Sequence, residues 1–279
     1  MLKRIILVVS LGVLLTLALA SIGCASSNGL SDMLAKVPAG TDSLKYVDVK
    51  ALRNDADLSD LYDAWKAAAD PSLESRGIDH GSVDLLASGG DSSQSFTILV
   101  GKFDLEEIRD ELGDRNYNDD EYKGVEVWEK TTSWGADLDE EVALMGDLII
   151  FGNKAGVEGC IKVIKEGAAS WISKADIKDV SGRLPSGLYA VLSKTEWTGL
   201  VMEGFEALGM SINKQDGDTL KIDGVAKFED EDSADNAQDT IEYMMEQQFD
   251  SVDVTQEGVF LKGSAELDID DAESLFQGL

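Results

Sequence analysis

One histidine, His80, and two cysteines, Cys24 and Cys160, stand against 54 aspartates and glutamates in 279 residues. Nucleophilic catalysis by a Ser–His or Cys–His pair would have to run through His80, which sits in a Gly-flanked loop. No G-x-S-x-G elbow accompanies it. Gly89-Gly90 lacks the Lys-Ser/Thr continuation of a phosphate-cradling loop. Cys160 falls with Val157, Ile161 and Ile164 at the i, i+3, i+4, i+7 spacing of one buried helix face. No basic residue stands out as its activator, so an inert core thiol is expected.

The carboxylates are more numerous than informative. A glycosidase needs two of them at a set separation, and 54 acids offer pairs without singling one out. Asp114-Arg115-Asn116-Tyr117-Asn118-Asp119-Asp120 opens like a calcium loop, with oxygen ligands at alternate positions. Asp119 then occupies the place of the required Gly, and Val125 that of the bidentate Glu. A solvated turn between helix and strand is expected there. Asp216-Gly217-Asp218 reads as a hairpin turn, and the acids of Asp230 to Asp239 as charge suited to a helix N-terminus. Trp134, in the polar segment Thr131 to Ala136, is the aromatic expected on a loop, where such a side chain either folds back on its own domain, the commoner case, or anchors a sugar or peptide. On this reading there are no catalytic residues, no metal ligands and no cofactor. An extracytoplasmic hydrolase using acidic residues is the alternative.

The elements that would position these groups occur twice. Lys36-Val37-Pro38-Ala39-Gly40 and Arg183-Leu184-Pro185-Ser186-Gly187 each precede a β-like run, Tyr46 to Val49 and Leu188 to Leu192. Apolar residues at helical spacing follow: Leu58, Leu61, Tyr62 and Trp65 in the first case, Trp197, Leu200, Val201, Phe205 and Leu208 in the second. Next come two hairpins, Ser82–Leu86 with Ser95–Phe103, and Met210–Lys214 with Thr219–Phe228. Each runs into a helix pattern, carried by Leu105, Ile108 and Leu112 or by Ala237, Ile241 and Met244/Met245. A tight hairpin closes each series: Val142–Met145 with Leu148–Phe151, and Val252–Thr255 with Val259–Lys262. Gly152 and Gly263 end these, and a last helix is expected after each. The expected fold is α+β: two diverged repeats of an antiparallel sheet with helices packed on one face, each large enough for its own core. The boundaries are 38–180 for the first module and 181–279 for the second, shorter one.

The N-terminus has the layout of a secretory signal. Lys3 and Arg4 form a positive start, Ile5 to Ala20 an apolar run, and Ser21-Ile22-Gly23-Cys24 follows. Those four residues resemble the lipobox of bacterial lipoproteins, with Ser21 standing where that family usually has Leu. The resemblance covers the first two dozen residues. It implies cleavage between Gly23 and Cys24, removal of residues 1–23, and acylation of Cys24 as lipid attachment site. Residues 24–37 would then form the lipidated Cys and a tether. The body is similar to uncharacterised extracytoplasmic lipoproteins with repeated α+β modules, a likeness that transfers no functional residue.

Losing Lys3 and Arg4 moves the net charge from −30 to −32. Such a body repels polyanions, which excludes nucleic acid as a partner and favours neutral or cationic ones. The sequence therefore leads one to expect a lipoprotein anchored in a membrane, facing away from the cytoplasm. Its expected role is non-catalytic binding or interaction, with a neutral or cationic protein, peptide or glycan as ligand.

Overall fold

The computed structural model describes residues 29–132, 135, 137–194 and 202–272. The signal segment with Gly23 and Cys24, the loop residue Trp134, and residues 195–201 lie outside them. Runs rich in β-branched and aromatic residues supply the strands. In the first half these are β1 (Ser43–Val47), β2 (Val83–Gly90), β3 (Ser95–Gly101), β4 (Tyr117–Tyr122), β5 (Val125–Thr131), β6 (Asp137–Leu144) and β7 (Leu148–Gly152). In the second half they are β8 (Tyr189–Ser193), β9 (Phe205–Lys214), β10 (Thr219–Phe228), β11 (Asp250–Glu257) and β12 (Phe260–Asp268). All join one 12-stranded sheet in the order β11-β12-β10-β9-β8-β1-β2-β3-β7-β6-β5-β4. Every neighbouring pair is antiparallel. The halves meet where Ser43 to Val47 of β1 pair with Ser193 to Tyr189 of β8.

The helices include α1 (Gly29–Leu34), α2 (Val49–Asn54), α3 (Ser59–Glu74), α4 (Leu105–Asp114), α5 (Lys154–Glu166), α6 (Ala175–Ser181) and α7 (Glu231–Glu246). Short polar side chains start four of them. Asp48, Asp104, Asn153 and Asp230 each accept a hydrogen bond from a backbone N–H of the first turn. Gly167, left-handed at φ 65°, ends α5.

The sheet is buried on both faces, so β3, β7 and β8 carry continuous apolar runs, not alternations. Leu99, Ile149, Phe151 and Val191 face one core, packed under Leu52, Leu61 and Trp65 of α2 and α3 and Ile108 and Leu112 of α4. Ile98, Ile150 and Leu192 face the other, under Met33 and Leu34 of α1, Val157, Cys160 and Ile161 of α5, and Ile177 and Val180 of α6.

Several expectations are corrected. Helices pack on both faces of the sheet, because the four-residue run of β7 is apolar on both sides and each side needs a cover. The halves do not hold separate cores: Val47 and Leu99 share theirs with Met210, Ile222 and Ala265. Of the expected tether 24–37, residues 29–34 are helix α1, and Met33, Leu34 and Val37 are buried. Phe205 and Leu208, expected on a helix, lie in β9, where hydrogen bonding to β10 overrides their spacing. Residues 117–122, expected as a solvated turn, are edge strand β4, folded onto β5 through Lys123 and Gly124 at φ 53° and 74°. Gly263 lies within β12 and does not end a strand.

Candidate ligand-binding site

Connection lengths open a pocket in the second half. Between β1 and β2, residues 48–82 carry α2 and the 16-residue α3, whose Leu61 and Trp65 fill the space over the sheet. Between β8 and β9 only residues 194–204 intervene, too few for a helix of that length. The face of β9, β10 and β12 on that side is covered by α7, and an apolar pocket of about 260 Å3 remains beneath it.

The floor is set by register. Met210, Gly224 and Gly263 lie side by side across β9, β10 and β12. Leu208, Ala226 and Leu261 form the next row. A Cβ built at Gly224 would meet nothing nearer than the Gly263 oxygen at 3.8 Å, so the missing side chain leaves open space. At Gly263 it would meet Met245 Sδ at 2.8 Å, so that glycine lets α7 lie down on the sheet. Ile241, Met244 and Met245 form the roof, Phe249 and Gln248 one end, and Met202 and Phe205 the other. If closed and dry, an empty apolar space of this size would cost on the order of 6 kcal/mol.

The charges of this region point elsewhere. Lys221, Lys227 and Lys262 alternate onto the opposite face of the sheet, where Lys227 Nζ lies 3.1 Å from Asp179 of α6. In α7 the acids Glu231, Asp232, Asp235, Asp239, Glu242 and Glu246 are joined by no Lys or Arg. A larger groove, about 490 Å3, runs between the end of α3 and α4. It is open and lined by Glu74, Asp79, Asp104, Glu107 and Glu111 with Lys102 and Arg115, a solvated mixture of charges and not a convergent set.

Among the described residues, those singled out in the sequence do not assemble. Cys160 is fully buried on α5, and burial pushes its thiol far above the usual range, which rules out a thiolate nucleophile. His80 lies in the opposite core's region, its Nδ1 3.1 Å from Asp70 Oδ1 and its ring tilted against Tyr62. Asp216 to Asp218 form the β9–β10 turn with Gly217 at φ 67°, and Asp230 caps α7. Among the described residues, no three His, Cys, Asp or Glu side chains stand close enough to hold a metal ion. Glu141 of β6 is the one unforeseen carboxylate: 1% exposed, with Oε1 unpartnered. Burial and the neighbouring Glu158 hold its carboxyl near pH 7.

The pocket was missed although its residues leave a signal. Four of the seven methionines, Met202, Met210, Met244 and Met245, line it. Gly224 and Gly263 interrupt two strand patterns, as isolated glycines do where something approaches the backbone.

The structure defines a mixed α/β protein built on a large antiparallel sheet with helices. Within that class, the chain superposes on a solved structure, crystal form IV of TP0453, with a TM-score of 0.55 at 8% identity, covering 88% of this chain and 96% of that one. That likeness shows the fold alone. In sequence, the chain is 26% identical over 244 residues to the uncharacterized protein MJ0635 of Methanocaldococcus jannaschii, spanning 83% of this chain and 82% of the relative. No described protein family matches the chain.

Proposed function

We propose that this protein is a lipid-anchored, extracytoplasmic binding protein, without catalysis of its own, that takes an apolar ligand beneath α7. The pocket carries the binding reading: it is apolar, part-enclosed and kept open by a strand glycine that nothing else in the fold requires. The anchor rests on Lys3, Arg4, the apolar run and Gly23-Cys24. More than one acyl chain on Cys24 would hold the body to a membrane, where a single chain binds only marginally. At a net −32 after cleavage, the body disfavours nucleic acid and anionic ligands.

The body is, on this proposal, a diverged duplication. What supports it is the strand order outward from the β1–β8 pair: β1-β2-β3-β7-β6 on one side and β8-β9-β10-β12-β11 on the other. α4 after β3 then corresponds to α7 after β10, and the two pack on the same side of the sheet.

Two measurements test the function. Cys24→Ala should move the protein from the membrane to the soluble fraction, or leave it uncleaved; unchanged mass and partition would remove the anchor. Photolabelling of membranes carrying the full chain with adamantyl diazirine should mark residues 241–249. Uniform labelling of the surface, with no preference for that segment, would remove the pocket.

A further inference from the structure

We infer that the pocket beneath α7 holds one unbranched acyl or alkyl chain, whose head group, left outside, is uncharged or cationic. The inference rests on the binding reading above and names its ligand class. Three features of the pocket carry it.

The first is the absence of polar partners. Met210, Gly224, Met244, Met245 and Leu261 offer no side-chain donor or acceptor, and Gln248, at one end, is exposed. A ligand with hydroxyls or amides in the buried part would lose its hydrogen bonds with water and gain none, a cost that plain hydrocarbon does not incur. The second is size and shape. At about 260 Å3 the space lies just below the ~300–1,000 Å3 of drug-sized sites, room for part of one chain and not for two side by side. Flexible thioethers on both floor and roof mould to a chain that has many conformers.

The third is charge. A head group emerging near Gln248 would lie beside the C-terminal end of α7, whose acids include Glu242 and Glu246, while Lys221, Lys227 and Lys262 lie across the sheet. An anionic head would leave water for the neighbourhood of like charges, and Lys214, further along this face of β9, is already held by Asp55 and Asp57. A free fatty acid is therefore the wrong ligand, although its chain would fit.

The test uses full-length protein in isolated membranes and three photoprobes of one chain length, each with a diazirine in the chain. One is a monoacylglycerol, one an alkyl trimethylammonium, one a fatty acid. Adducts are mapped by peptide mass spectrometry. The two non-anionic probes are expected to label residues 241–249 and the peptide holding Leu261 at least tenfold more than the fatty acid does. Gly224→Leu, which fills the floor, should lower that labelling at least tenfold. Gly224→Ala, which adds a Cβ where there is room, should keep the fold and lower it less. Equal labelling by the fatty acid, or labelling indifferent to both Gly224 variants, overturns the inference. If adamantyl diazirine marks this segment but no chain probe does, the chain is wrong and the binding pocket stands. If neither marks it, the binding reading falls as well.

Discussion

Glu141 ties burial to a measurable pH dependence. It is an acid of ordinary pKa 4.5 that titrates near 7 in the fold, first because it is buried and then because Glu158 lies near. Between these values the native protein keeps the proton and the unfolded chain releases it. The native state then binds more protons, and stability falls as pH rises through the window. Over 2.5 units the loss is about 3 kcal/mol. Glu141→Gln stays neutral throughout, so urea titrations should show little difference from the parent at pH 4.5 and a variant more stable by about 3 kcal/mol at pH 7.5. A difference that does not change with pH would contradict this assignment. Its neighbour Glu140 behaves oppositely. The Tyr117 hydroxyl, Arg76 and Lys130 outweigh burial and hold its carboxyl below the usual range. Alternation along a strand puts the two glutamates on opposite faces; the sequence contains nothing that says which face α5 will seal.

Turns and helix ends follow local rules, and two glycines test them. Gly124 and Gly113 each have room for a Cβ, with nothing within 4 Å. Gly124 sits at φ 74° in the β4–β5 turn, where a branched side chain meets its own backbone. Gly124→Val should cost about 1–2 kcal/mol. Gly113 lies in α4, and Gly113→Ala should stabilise by about 0.5–1 kcal/mol, mostly by restricting the unfolded chain. Thermal melts of the two variants should shift in opposite directions; shifts of the same sign would mean that packing, not backbone preference, rules these sites. The hairpins at Gly146-Asp147 and Gln215 to Asp218 were legible because turn chemistry is local. The start of β9 was misread because Phe205 and Leu208 satisfy helical spacing, and only the pairing with β10 decides for strand.

At the scale of the molecule, the β1–β8 ladder makes the halves interdependent. Cutting between residues 181 and 182 would expose two strand edges, each five residues long, and open both cores. Fragments 29–181 and 182–279 should each fail to give a cooperative melt alone and should recover one when expressed together. The uncut body should unfold in a single transition, with circular dichroism and fluorescence superimposing. A soluble, independently melting fragment would show that each half closes its own core.

Chain-local information by itself determined the acidic charge, most hairpins, the capped helices and the inert placement of Cys160 on an apolar helix face. These depend on neighbours a few residues apart, whose types and spacing the sequence displays. Tertiary structure decided the rest. That the two halves share one sheet depends on β1 meeting β8, a pairing across about 145 residues that no spacing encodes. That helices cover both faces depends on where α1, α5 and α6 dock. The pocket depends on both together: a connection too short to carry a second α3, and a register that sets Gly224 beside Gly263 under α7. Apolar residues mark what will be buried; what they meet, or fail to meet, is fixed only once distant segments pack.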